Sequence, residues 1–451
     1  MTPTPTTDTR ADLSPHGVLD ALAKHILVDG YHVVMDFHRS RGSYLYDARS
    51  GRPLLDFFTN FATFPVGYNH PKMADPEFQD RLRQAATTKP ANSDIYTSLY
   101  ADFVETFSRR AIPKTHADHL FFIEGGSLGV ENTLKTAFDW KVRKNIARGL
   151  PDTKGTQILH FKNAFHGRSG YTLSLTNTAD RRKTQYFPKF DWPRLSTPSL
   201  RFPVTDEVLH EVERAEEGVD AEIRKACSER RDDIAALIIE PIQGEGGDNH
   251  FRPEFFRRLR SLADELEFLL IFDEVQTGVG LTGSMWSWQQ LGVEPDLFCF
   301  GKKTQVCGFA SNHRIDDVDN VFKVSSRINS TWGGNLVDMV RCHRYLEIID
   351  EENLVENARV VGEHLLARLR EMAEEFSGVV SNVRGRGLFI AFDLPDKAMR
   401  DRALAACLEH GLIGLASGAA AIRFRPSLAL SKDEADEGVR KVRRAIAAAR
   451  A

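Results

Sequence analysis

The chain has little cysteine, no long apolar run and no surplus of charge. Its five cysteines among 451 residues, Cys227, Cys299, Cys307, Cys342 and Cys407, form no CxxC pair and no metal-ligand spacing. That removes the basis for a disulfide framework or a structural zinc site, so no metal is expected and a reduced, cytoplasmic setting fits. No apolar stretch approaches the roughly 20 residues that span a bilayer. The Thr/Pro-rich start over 1–15 lacks the apolar core of a signal peptide and reads as a flexible lead-in. A formal charge of −4 gives no electrostatic case for a nucleic-acid or membrane partner. Internal repeats and low-complexity linkers are missing as well.

What is present is the balance of a soluble globular protein, 42% hydrophobic and 27% charged. A chain of this length exceeds a single core and is expected to divide into domains. Between residues 119 and 303, short apolar runs (HLFFIEGG, TQILHF, YTLSLT, IAALIIEPIQG, FLLIFDEV, DLFCFGKK) alternate with helical patterns. In PEFFRRLRSLADELE, Phe255, Leu259, Leu262 and Leu266 recur at helical spacing. This alternation predicts an α/β fold, a mostly parallel central sheet covered by helices. Beyond residue 345 the pattern becomes α+β, with an amphipathic VVGEHLLARLREMAEEF, strand-like GLFIAFDL and AIRFRPSL, and a charged terminal helix. The expected division is a large domain over 81–345 and a smaller one over 346–451, joined by 16–80, where YHVVMDF and SYLYDARSGRPLLDFF suggest a meander.

Ligands of such sheets sit beyond the carboxyl ends of the strands, so the polar residues closing each apolar run are the candidates. Gly126 and Ser127 follow HLFFI and open a helix, where free N–H groups and a positive dipole end suit a phosphate. An ordinary strand-to-helix turn with Ser127 as cap reads equally well. Asp273 closes FLLIF, as a carboxylate needing a cation or as a turn cap or arginine partner. Lys302 closes the next run, where a desolvated amine has a lowered pKa and can attack a carbonyl. Lys302 and Lys303 leave the strand toward opposite faces, so only one enters a site. A phosphate cradle, a carboxylate and a nucleophilic lysine are together what pyridoxal 5′-phosphate needs.

The order EGGS, NAFHGR, IIEPIQGEGG, FDEVQTG, FGKK, STWGGN, RGRGL and IRFRP resembles the class III aminotransferases of the type I pyridoxal-phosphate fold, over residues 50–451. The resemblance implies that Asp273 pairs with the pyridinium nitrogen and that Lys302 is the Schiff-base lysine, leaving Lys303 solvated or paired on the other face. It implies Phe165 stacked on the ring, Val275 on the opposite side and Gln276 facing the ring hydroxyl. It further implies Gly126 and Ser127 at the phosphate, and Thr331 reaching the phosphate in a neighbouring subunit, hence a homodimer. Most members read SGTEAVE, Gly-Gly after the lysine and GGNP where this chain has EGGSLGVEN, TQVCG and Gly333-Gly334-Asn335-Leu336. Those departures resemble the lysine 6-aminotransferase branch, which moves the terminal amine of L-lysine to 2-oxoglutarate.

Two carboxylate-bearing substrates that present opposite ends to one cofactor need cations in two places, for which Arg168 and Arg423 are the candidates. By the resemblance, Glu245 masks Arg423 while the ω-amine is bound and swings away for the dicarboxylate. A structural ion pair for Arg168, and a loop pairing with a surface base for Glu245, are the plainer alternatives. Ornithine or 4-aminobutyrate as amine donor, an aminomutase, and a binding protein that retains only the scaffold are the competing functions.

Overall fold

The computed structural model describes residues 13–450, so all but the last three residues of the expected lead-in lie outside the described residues. Its centre is a seven-stranded sheet. In spatial order the strands are His119–Ile123, Cys307–Ser311, Leu297–Phe300, Leu269–Asp273, Ile234–Ile239, Gln157–Phe161 and Arg194–Leu195. All neighbours pair in parallel except Cys307–Ser311, which is antiparallel to both of its neighbours. The connection from Leu297–Phe300 is too short for a crossover helix, so the chain must return antiparallel. Burial of every residue in Ile234–Ile239, Leu269–Asp273 and Leu297–Phe300 fits strands covered on both faces.

Helix Pro253–Glu265 buries Phe255, Leu259 and Leu262 along the expected stripe, with Leu266 packed at its edge. The run YTLSLT, expected as a strand, is instead part of helix Gly170–Leu175. Its alternation of apolar and small polar residues is overridden by a capping box, in which Ser169 and Thr172 satisfy each other's backbone N–H groups.

Toward the C-terminus, Ser381–Arg386, Phe389–Asp393, Ala421–Phe424 and Leu415–Ser417 form a four-stranded antiparallel sheet. Helices Leu354–Glu375 and Lys432–Arg450 lie beside it, the first burying Val361, Leu365, Leu369 and Met372. Tyr44–Asp47 and Arg52–Asp56 form the expected hairpin, and Leu412–Ile413 joins it in parallel. YHVVMDF forms no strand; Met35 makes a single bridge to Asp47. None of the described helices is long and apolar enough to cross a membrane. All five cysteines are free.

Candidate active site

Where the central strands end, a cavity of about 280 Å³ is lined by Gly126, Ser127, Phe165, Arg168, Glu240, Glu245, Asp273, Val275, Gln276 and Lys302, with His166 and Gly167. It opens into a larger space of about 1100 Å³ that also touches Arg423, Lys183 and the apolar side chains of Tyr31, Phe58 and Phe61. Register explains why two of these residues meet. Cys299 lies opposite Asp273 in the parallel pair, so Lys302, three residues on, sits just beyond the neighbouring strand end. There the backbone turns sharply and Lys302 takes φ 52°, a left-handed conformation uncommon for a non-glycine residue.

Asp273 is held from two sides. Oδ2 lies 2.7 Å from His166 Nδ1, and Oδ1 accepts the Val275 N–H at 3.0 Å. No arginine pairs with it among the described residues, while the Val275 contact is the turn cap that the sequence also allowed, now combined with the His166 contact. Glu240 accepts the backbone N–H groups of Phe165 at 2.9 Å and Gly244 at 3.0 Å, and burial pushes its pKa up to about 7. Burial also lowers the pKa of Lys302, with Asp273 pulling partly the other way. The neutral amine is therefore more accessible than on an exposed lysine.

For Lys303 the structure corrects one of the two expected outcomes and leaves the other, a partnered amine away from the cavity. It is neither solvated nor exposed: it is buried, and Nζ donates to the Gln276 carbonyl at 3.0 Å. Burial depresses its pKa strongly. Ser127 is not a helix cap. Helix Gly126–Ala147 starts from Gly125 at φ 93° with no side-chain cap, and Ser127 Oγ instead meets Ser169 Oγ at 2.5 Å and Thr172 Oγ1 at 2.8 Å.

Gln276 lines the cavity and is held by two arginines. Its Oε1 accepts from Arg423 Nη1 and from Arg425 Nε and Nη2, each at 3.1 Å. Arg425, fully buried over the Phe389 ring and paired with Asp248, was not singled out from the sequence, although IRFRP contains it. Glu245, on the turn after strand Ile242–Gln243, pairs with Lys183 and not with Arg423. No motif marks Lys183; only its place beside the cavity does. Arg168 is exposed, lines both spaces and enters no ion pair among the described residues, so the structural-pair alternative for it finds no partner. Thr331 is exposed and lines neither space.

These residues fit pyridoxal 5′-phosphate. A buried carboxylate stands ready for a ring nitrogen, and a desolvated amine for an aldehyde. The uncapped start of helix Gly126–Ala147 presents free N–H groups of the kind that hold a phosphate. A Cβ on Gly126 would come within 3.1 Å of Val275 Cγ1, so glycine keeps these two walls close. Outside this region, His119, His313 and Asp316 group in a way that suits a metal, but Asp316 Oδ1 is already taken by Lys323 at 3.1 Å and Asn320 at 2.9 Å.

The class III aminotransferase family model matches residues 27–446. An L-lysine-epsilon aminotransferase from Mycobacterium tuberculosis is 53% identical over 435 residues, 96% of each chain. One of the same description from Streptomyces clavuligerus is 45% identical, covering 97% of this chain and 95% of its own. The solved structure of a lysine aminotransferase from M. tuberculosis in the internal aldimine form superposes with a TM-score of 0.94 at 51% identity, covering 97% of this chain and all of that one. The chain belongs to the class III aminotransferases.

Proposed function

We propose that the protein transfers the ε-amino group of L-lysine to 2-oxoglutarate. The products are L-glutamate and 2-aminoadipate 6-semialdehyde, which cyclises to 1-piperideine-6-carboxylate. One observation carries the reading: Lys302 and Asp273 line a single cavity that Arg168 and Arg423, on separate elements, flank at its opening. The lysine-aminotransferase names of relatives 45–53% identical over nearly the whole chain support the choice of donor.

Pyridoxal phosphate, when bound, supplies an electron-poor ring that accepts the electron pair left as the substrate's Cε loses its proton. Lys302, as the neutral amine that burial favours, takes that proton and later returns it. Asp273, kept in place by His166 and the Val275 N–H, holds the proton of the ring nitrogen. Phe165 and Val275 form the two walls. Arg168 takes the α-carboxylate of lysine, and Arg423 takes a carboxylate of 2-oxoglutarate. Thr331 serves the phosphate of a second subunit, so the working unit is a homodimer, placed in the cytoplasm. The large domain over 81–345 carries the cofactor; 16–80 and 346–451 make up the smaller one, a division supported by the pairing of Arg52–Asp56 with Leu412–Ile413.

Lysine, ornithine and 4-aminobutyrate offered side by side with 2-oxoglutarate, with identification of the carbon that loses nitrogen, test the donor. Fastest turnover of lysine at Cε is expected, and preference for either rival overturns the substrate. Turnover without 2-oxoglutarate would mark an aminomutase.

A further inference from the structure

Glu245 and Arg423 line the same space, yet the carboxylate is committed elsewhere. Glu245 Oε1 pairs with Lys183 Nζ, while Oε2 is buried with no hydrogen-bond partner among the described residues. Arg423 gives only Nη1, to Gln276 Oε1 at 3.1 Å, and its buried Nε likewise has no partner. Lys183 ends the short 3₁₀ turn Arg181–Lys183, on the segment that follows helix Gly170–Leu175. That turn also borders an outer recess lined by Arg168 and Arg182. One carboxylate therefore stands among cations on different elements and is engaged by the one that the sequence did not mark.

We propose that Lys183 is a specificity-determining residue: it competes with Arg423 for the Glu245 carboxylate and thereby keeps Arg423 open for the distal carboxylate of the dicarboxylate substrate. The proposal rests on the aminotransferase reading above. Glu245 needs a cation in either position, because an unpaired carboxylate beside a buried site is costly. What changes is which cation is left for substrate. With Glu245 on Lys183, Arg423 is available and the negative charge facing an incoming dicarboxylate is neutralised. With Lys183 removed, Glu245 is released to turn to Arg423, whose Nε is buried without a partner among the described residues, and a dicarboxylate must displace it. A monocarboxylate ω-amine has no second carboxylate to seat, so it gains from the same move. The Lys183–Glu245 pair is partly solvent-exposed, with side-chain exposures of 30% and 19%. An effect of about fivefold is expected rather than several orders of magnitude.

The test uses the holoenzyme and glutarate, an unreactive dicarboxylate whose binding is followed by the cofactor's absorption. Lys183→Met is expected to raise the glutarate Kd about fivefold and to lower the KM of the amine donor, with Lys183→Arg restoring both. In a Glu245→Gln background, Lys183→Met should leave the glutarate Kd unchanged, since the competition no longer exists. Weakening of both ligands together, or the same fivefold loss in the Glu245→Gln background, would overturn the proposal; so would no change at all. Lys183→Gln repeats the measurement should the methionine variant fold poorly. Wild-type protein that binds no glutarate overturns the dicarboxylate-acceptor reading itself. Glutarate binding that Lys183→Met does not alter overturns this proposal alone.

Discussion

His166 Nδ1 lies 2.7 Å from Asp273 Oδ2, with both side chains buried, while the other Asp273 oxygen is engaged by the Val275 N–H. The carboxylate is thus fixed in position and points one charge at the cavity. Asp273→Asn keeps the shape but removes that charge. Turnover is expected to fall by about 10²–10³-fold, in the range of other losses of aligned electrostatic stabilisation. Steady-state kcat at saturating cofactor checks this. His166→Leu should cost less, since it removes only the support, and should lower cofactor retention on dialysis. Equal losses in the two variants would mean that the pair acts only structurally.

Lys302 and Lys303 are adjacent, but their burial has different consequences. Lys302 faces the cavity; Lys303 Nζ is spent on the Gln276 carbonyl. Borohydride reduction of the holoenzyme should fix the cofactor on Lys302 alone, as read by peptide mass spectrometry. Lys302→Ala should lose about 10²–10⁴-fold in rate or more, because it removes the proton carrier as well as the tether. Lys303 also has a stability signature. Its pKa is pushed far down in the folded protein, so below the ordinary lysine range the unfolded chain binds a proton that the folded one resists, and wild-type stability rises with pH. The melting temperature of Lys303→Met minus that of wild type should therefore grow as the pH falls. A difference independent of pH would refute the assignment.

Glu274 supplies the opposite sign. It is buried, accepts the Trp288 N–H at 2.8 Å and the Thr277 hydroxyl, and burial raises its pKa from 4.5 to about 7. The folded protein then holds a proton that the unfolded chain has released, and stability is present below pH 4.5 and lost as pH rises through about 7. Glu274→Gln, which cannot titrate, should gain in melting temperature on wild type between those limits and gain nothing further above them. Calorimetry at several pH values follows the difference.

Much of this site was legible because its chemistry sits where apolar runs stop. Asp273 and Lys302 each close a run of buried strand residues, and a charged group in that place has few roles. The same logic failed where the deciding contact is distant in sequence. Gln276 lines the cavity, but the two arginines from around strand Ala421–Phe424 that converge on its oxygen are announced by nothing local to FDEVQTG. Lys183, in the basic stretch RRK, is indistinguishable from solvated charge until the hairpin bearing Glu245 is placed beside it. The antiparallel strand Cys307–Ser311 is read only once the chain is known to double back. There Gly308 is required, because a Cβ would lie 1.9 Å from the Phe121 carbonyl oxygen.

Thr331 offers the most direct test of a shared site. It is exposed and borders neither space, next to Trp332, whose ring carries Lys89 Nζ at 3.7 Å while Lys89 also pairs with Glu124 at 2.7 Å. If its hydroxyl serves the phosphate in a partner subunit, Thr331→Ala loses a hydrogen bond to a charged group, and cofactor affinity should fall by about 10–100-fold. Mixing Thr331→Ala subunits with Lys302→Ala subunits then distinguishes the two arrangements. With sites completed across the interface, a mixed dimer has one site carrying both lesions and one carrying neither. Its activity should reach about half that of wild type, at wild-type cofactor affinity. With sites contained in single subunits, the surviving site keeps the Thr331→Ala lesion and its weakened affinity. Cofactor titration of purified mixed dimers reads the difference: weak binding there would place Thr331 in its own subunit's site, and undiminished affinity in the Thr331→Ala homodimer would place it in none.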